Sequence, residues 1–163
     1  MKRITLITLA LAASLTSTAV QAADVSADAG AKIVAPLQIQ NSTALYFGTI
    51  APSLTANDTV IVSPAGAKNC GADLTCLTDD HTAAAFQVSG EAGTAYTIEL
   101  PNSITISNGA GGEMIVNDFT GSKANGQLVS GQDDFTVGGK LGVAANQATG
   151  EYTGTFVVAV SYQ

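Results

Sequence analysis

From Glu151 to Gln163 the side chains alternate in character without a break. Tyr152, Gly154, Phe156, Val158, Val160 and Tyr162 fall on one parity, and Thr153, Thr155, Val157, Ala159 and Ser161 on the other. Successive side chains of an extended chain point to opposite faces, so residues 152–162 are predicted to form a strand. One of its faces is aromatic and branched-aliphatic, the other small or hydroxylated. The same period, or short β-branched runs bounded by turn residues, predicts further strands at 32–40, 45–50, 59–63, 85–89, 95–100, 104–107, 113–119 and 135–143. Turn signals punctuate them at Pro64-Ala65-Gly66, Gly90-Glu91-Ala92-Gly93, Pro101-Asn102, Asn108-Gly109 and Asn125-Gly126. Helical signal is confined to Ala144-Ala145-Asn146-Gln147-Ala148, which is long enough for one turn only. Many short strands at this spacing predict an all-β fold, a sandwich or a barrel.

The first residues change the picture of where the protein works. Lys2 and Arg3 precede an apolar run from Ile4 to Leu15, and Val20-Gln21-Ala22 offers small side chains to a peptidase, so residues 1–22 read as a secretory signal peptide. The run is shorter than the roughly 20 residues that span a bilayer, which argues against an anchor. Cleavage after Ala22 leaves residues 23–163 as a single domain of 141 residues, exported to the periplasm, cell surface or medium. Losing Lys2 and Arg3 moves the formal net charge from −7 to −9, with Lys32, Lys68, Lys123 and Lys140 as the remaining cations. Such a chain is not expected to bind nucleic acid, whose phosphates need clustered Lys and Arg, nor to insert in a membrane once processed.

Cys70 and Cys76 are the two cysteines of the sequence. In an oxidising compartment an even pair is expected to form a disulfide. Zinc would require further soft ligands than one histidine supplies, and redox pairs carry a tighter spacing. Two polar stretches, 69–82 and 121–134, are predicted as long loops where binding variation would concentrate. Within the first, Asp73, Asp79, Asp80 and His81 form the most tempting cluster, either a solvated loop or a weak calcium site. Asp133-Asp134 reads as a charged turn. No serine lies in a Gly-x-Ser-x-Gly elbow, and Gly109-Ala110-Gly111-Gly112 has neither the helix nor the Lys-Ser/Thr of a phosphate loop. Catalytic residues, cofactors and resident metals are not expected, so the protein is read as a non-enzyme.

Several segments resemble a bacterial secreted family known as domain of unknown function 4402. They are LYFGTI at 45–50, VIVSP at 60–64, AAFQVSGEAGTAYTIELP at 84–101, ITISNG at 104–109, MIVNDF at 114–119 and VGGKLGVAANQATGEYTGTFVVAVSY at 137–162. The alternating last strand, with Gly150 fourteen residues from the end and Tyr162 penultimate, also resembles the C-terminal strand of chaperone–usher pilus subunits. The Phe-Gly after a strand is similar to that of spore-coat-U-type subunits of archaic pili. These resemblances imply an Ig-like (pilin-like) antiparallel β-sandwich and a place in surface fibres or extracellular matrix.

The expected function is therefore an exported structural protein, a pilin-like subunit or surface adhesin component that assembles by β-strand addition. Gly150, Tyr152, Phe156, Val158, Val160 and Tyr162 form the candidate assembly strand, lining the core or an acceptor groove. Val25, Ala27, Ala29, Ala31 and Ile33 alternate as a donor segment would. Expected partners are identical or related subunits and a periplasmic chaperone and usher. The alternative for both strands is ordinary edge packing in a complete monomer. The rival function is a monomeric extracellular domain that grips a ligand through the loops 69–82 and 121–134, with or without calcium.

Overall fold

The computed structural model of the chain describes residues 23–77 and 79–163. The predicted signal peptide lies outside the described residues. The chain divides into a unit ending at Lys32 and a unit Ile33–Gln163. Residues 23–32, the described part of the first, form no strand and are exposed throughout.

The second unit is all-β. Its strands are β1 Gln38–Thr43, β2 Ile50–Ala51, β3 Asp58–Val62, β4 Lys68–Cys70, β5 Thr75–Cys76, β6 Ala84–Ser89, β7 Ala95–Glu99, β8 Ser103–Ser107, β9 Glu113–Gly121, β10 Asn125–Gln127, β11 Gln132–Val143 and β12 Ala159–Tyr162. Every strand pairing is antiparallel. The described residues contain no helix; the Ala-rich 144–148 segment makes a turn in which Asn146 takes a positive φ of 55°.

The long strand β11 organises the largest sheet. Val137 pairs with both Ala84 and Gly121, and Leu141 with both Val60 and Val116. Thus β6 and β3 follow one another along one edge of β11, while β9 occupies the other. The order is β1-β6-β11-β3-β4, with β9 on β11 and β8 on β9. A second sheet has the order β10-β7-β12, and β2 pairs with β5. β11 keeps its course because of Gly138, where a Cβ would strike the Val62 carbonyl and come within 2.6 Å of Ser63. The missing Cβ is what lets the β3 end pack this closely on the strand.

The parity read from the sequence decides which side chains are buried. Phe135, Val137, Leu141 and Val143 of β11 face inward with Phe86 and Val88 of β6 and Val60 and Val62 of β3. They divide into two clusters. One gathers Phe47, Val60, Val62, Leu74, Val116, Leu141 and Val143. The other joins the two larger sheets through Ala84, Phe86, Val88, Phe135 and Val137 on one side and Tyr96 and Leu128 on the other. Three ring pairs reinforce the second: Phe86 stacks on Phe135 with centroids 5.2 Å apart, and Phe156 meets Phe119 at 4.9 Å and Phe86 at 6.2 Å. Such pairs contribute about 0.5–1.5 kcal/mol each beyond their burial.

Several boundaries differ from those the sequence predicts. Residues 32–37 are not in a strand, and β1 starts at Gln38. The predicted strand 45–50 reduces to one bridge, Tyr46 with Thr82, plus the short β2. Its interruption falls at Gly48, whose φ of +83° is incompatible with a continuing strand. The two predicted loops are also partly ordered: β4 and β5 lie within 69–82, and β10 with the start of β11 within 121–134.

Candidate functional site

Residues 152–162 do not form one continuous strand, and the reason lies in their partners. Thr153 exchanges both backbone hydrogen bonds with Ser107 of β8, each at 3.0 Å. Ala159–Tyr162 pair instead with Glu99–Tyr96 of β7. β8 belongs to the large sheet and β7 to the small one, so the terminal segment must cross from one sheet to the other. Residues 154–158 make the crossing, and none of their backbone N–H and C=O groups has a backbone partner among the described residues. β12 continues this free edge, because it ends the order β10-β7-β12.

The side chains of the segment remain inward. Phe156, Val158, Val160 and Tyr162 are half-buried against the second cluster, and Val157 is 78 % exposed on the opposite parity. Tyr152 departs from the expected role. It lies outside both clusters, accepts a hydrogen bond from Gln147 Nε2 (2.9 Å) and donates one to the Ala148 carbonyl (2.7 Å). It anchors the loop before the strand and lines no groove. Gly150, in that loop, has φ +149°, and a Cβ there would lie 3.1 Å from Asn108.

β1 ends the large sheet as β12 ends the small one, and the two free edges lie on the same side of the domain. The Tyr162 hydroxyl donates to the Ala35 carbonyl and accepts from the Glu91 N–H, both at 2.8 Å. Leu37 and Ile39 of the β1 approach pack on the same cluster as Val160 and Tyr162. All four are only partly buried, whereas Val88, Tyr96, Leu128 and Val137 of that cluster are fully inaccessible. The core is thus closed at its centre and thinly covered between β1 and β12. Of the candidate donor residues, Val25 and Ile33 are each 95 % exposed, and Ala27, Ala29 and Ala31 are exposed as well.

Cys70 and Cys76 form a disulfide with their Cα atoms 6.3 Å apart. The bond joins β4 to β5, and both half-cystines pack on the first cluster. A loop this short gains at most about 2 kcal/mol from closure. Replacing both cysteines by serine is expected to lower unfolding free energy by no more than that and to leave the β spectrum intact. Intact mass before and after reduction, with alkylation, checks the bond; two alkylatable thiols in oxidised material would refute it.

Asp73, Asp79 and Asp80 are exposed, and among the described residues no three His, Cys, Asp or Glu side chains are grouped to hold a metal. The Asp73 N–H is engaged by Asp58 Oδ2 at 2.9 Å. His81 Nε2 lies 3.0 Å from the Gly66 carbonyl.

A polar network that the sequence did not reveal sits at the other end of the small sheet. The hydroxyl of fully buried Tyr96 donates to Asp133 Oδ2 at 3.0 Å, and Lys123 Nζ donates to both Asp133 oxygens at 2.8 and 2.9 Å. Asp133 is therefore no charged turn; it ties β11 to β7. Burial pushes its carboxyl upward, but hydrogen bonds from Lys123 and Tyr96, the Lys123 charge and the Asp134 N–H outweigh burial and hold it below the usual carboxylate value. Desolvation, then the Asp133 hydrogen bond and the charges of Asp133 and Asp134, raise Tyr96. A carboxylate with a depressed folded pKa adds stability above its unfolded value of about 3.9, and that stability is lost as pH falls through the folded value. Acid titration of unfolding should show this loss below about pH 4, and Asp133→Asn should remove it while costing about 1.5–3 kcal/mol at neutral pH. An unchanged acid limb in the variant would refute the assignment.

The family model described as Domain of unknown function (DUF4402) matches residues 37–162. No curated protein and no solved structure matches the chain.

Proposed function

The chain belongs to the family described as Domain of unknown function (DUF4402), and from that premise we propose that it is an exported, non-enzymatic structural subunit assembling by β-strand addition. The observation that carries the reading is the unpaired backbone of residues 154–158 and its continuation along β12. Unpaired strand edges are templates for another chain, and proteins that do not use them cover or charge them. Here the exposed parity beside the free backbone is Thr155, Val157, Ala159 and Ser161, with no charge and no proline.

On this reading the domain is an Ig-like, pilin-like sandwich whose open side lies between β1 and β12. The donor is the segment carrying Val25, Ala27, Ala29, Ala31 and Ile33 from an identical or related subunit. A periplasmic chaperone and usher would hold the edge until then, and the product would be a fibre or adhesive layer at the cell surface. Main-chain hydrogen bonds supply the affinity, and alternate side chains the register. The signal peptide reading of residues 1–22 supports export, and among the described residues no helix is long and apolar enough to cross a membrane. Removing residues 23–34 and measuring molar mass by light scattering tests the proposal: polymers should be lost while the domain stays folded.

A further inference from the structure

Two Asn-Gly pairs occur in the sequence, Asn108-Gly109 and Asn125-Gly126. At such a pair the glycine nitrogen can attack the asparagine side-chain carbonyl, because no Cβ on the following residue obstructs the approach. How readily it does so depends on whether that nitrogen is free and on what holds the carboxamide. Asn125 is the more exposed asparagine, yet its pair is locked. The Ile98 N–H donates to the Ala124 carbonyl at 3.0 Å, and the Leu128 N–H to the Thr94 carbonyl at 2.9 Å. Bonded and non-bonded pairs alternate along an antiparallel ladder, so Gly126, opposite Tyr96, gives its N–H to Tyr96. The Gly126 backbone has no room to turn either: a Cβ there would lie 2.5 Å from Asp133 Oδ2 and 2.6 Å from the Tyr96 ring.

Asn108-Gly109 opens the loop between β8 and β9. Gly109 is exposed with a φ of +70°, and its N–H has no partner among the described residues. Glycine fills three of the four positions after Asn108, which leaves this backbone free to bend into the five-membered ring that the attack forms. The Asn108 carboxamide is gripped unequally. Its Oδ1 accepts from the Ala110 and Gly112 N–H groups, both at 2.9 Å. Its Nδ2 makes only long contacts, 3.4 Å to the Tyr152 hydroxyl and 3.5 Å to the Thr149 carbonyl. Two N–H donors on an oxygen stabilise the negative charge it gains when its carbon is attacked. The nitrogen that must leave is the weakly held one.

We propose that Asn108 is a self-modification site, converted without an enzyme to a succinimide and then to aspartate or isoaspartate. The Gly109 nitrogen bonds to the Asn108 Cγ and gives up its proton through water. The Cγ–Nδ2 bond breaks, and Nδ2 takes up a proton and leaves as ammonia. A water molecule then opens the ring: cleavage at Cγ gives aspartate, and cleavage at the main-chain carbonyl gives isoaspartate. Either product places a negative charge beside the Thr149 carbonyl and removes the Nδ2 donor. Isoaspartate also lengthens the main chain directly after Ser107, whose hydrogen bonds with Thr153 start the terminal segment. The protein thus changes with age where that segment begins, and this holds whether or not strand addition does.

The test incubates the processed chain, residues 23–163, at mildly alkaline pH, both folded and in concentrated urea. Peptide mapping by mass spectrometry, with hydroxylamine to cleave any succinimide, follows residues 108 and 125 separately. In urea the two asparagines should react at similar rates. In the folded protein Asn108 should react no slower than in urea and roughly tenfold or more faster than Asn125. Ala110→Pro removes one donor to Oδ1 and should slow folded Asn108 about tenfold, while its rate in urea stays that of the unsubstituted chain. The unsubstituted comparison decides alone if that variant fails to fold. Three results would overturn the proposal: folding slows both sites alike, Asn125 reacts first, or a folded Ala110→Pro protein keeps the full rate at Asn108.

Discussion

Deleting residues 23–34 should convert an assembling protein into a folded monomer, and a synthetic peptide of those residues should bind that monomer in trans. The deleted segment is exposed along its length and supplies no residue to either core cluster. What disappears is an exposed stretch that forms no strand and alternates, with Val25, Ala27, Ala29, Ala31 and Ile33 on one parity. Its small side chains bury little area, so the peptide's affinity must come from main-chain bonds to residues 154–158 and the β12 edge. At about 0.5–1.5 kcal/mol net each, five such bonds supply about 2.5–7.5 kcal/mol, short of the roughly 8.2 kcal/mol of micromolar binding, so the isolated peptide should bind more weakly than that. Proline substitution within the peptide removes donors and should abolish binding without changing its composition much. The contrary result is equally clear. A full-length processed chain that is monomeric, unfolds in one cooperative step and behaves identically after the deletion has a complete fold, and strand addition is then wrong.

Tyr162→Asp should prevent folding or chaperone capture outright. The ring packs in the second cluster, and its hydroxyl joins Ala35 to Glu91. A carboxylate there loses both hydrogen bonds and places a charge against apolar side chains, at a cost of several kcal/mol. Domains of this size are stable by only about 5–15 kcal/mol. Tyr162→Phe is the control: it keeps the ring, forfeits the two hydrogen bonds for about 1–3 kcal/mol, and should still fold. Circular dichroism and urea unfolding separate the two variants. A soluble Tyr162→Asp protein with native spectrum and unchanged midpoint would show that the residue only decorates the edge.

Strands whose two faces meet different media were legible in the sequence. β3, β6, β7, β8 and β9 were placed to within a residue or two because their alternation is bounded by Gly, Pro or Asn. The terminal segment departs from the single strand its sequence predicts because its alternation runs on unbroken although its partners lie in different sheets. Side-chain period reports which way residues face and carries no information on whether a neighbouring backbone is within reach. β4 and β10 escaped notice because Lys68-Asn69-Cys70 and Asn125-Gly126-Gln127 have neither length nor period. In β10, Asn125-Gly126 reads as a turn, yet Gly126 is required because a Cβ would lie 2.6 Å from the Tyr96 ring. The Asp133 network depends on strands that bring Tyr96 to a residue 37 positions away. No local signal marks it. The disulfide was legible because the sequence holds one pair of cysteines behind a stretch that reads as a secretory signal, and that reading predicts an oxidising compartment.

If the protein is built into a fibre as proposed, the Tyr162–Ala35 hydrogen bond has a mechanical meaning. Tension on the N-terminal arm arrives at Ala35 before it reaches β1. There the tyrosine hydroxyl passes part of it to β12, which is held along its length by four register pairs with β7. Force applied along a paired strand must break its hydrogen bonds together, whereas force across it would open them one at a time. The pull is thereby routed through the outermost strands of the two sheets, and the first cluster and the Cys70–Cys76 loop lie off its path. Stretching single molecules by the arm should accordingly yield one high rupture force, and Tyr162→Phe should lower it more than it lowers equilibrium stability.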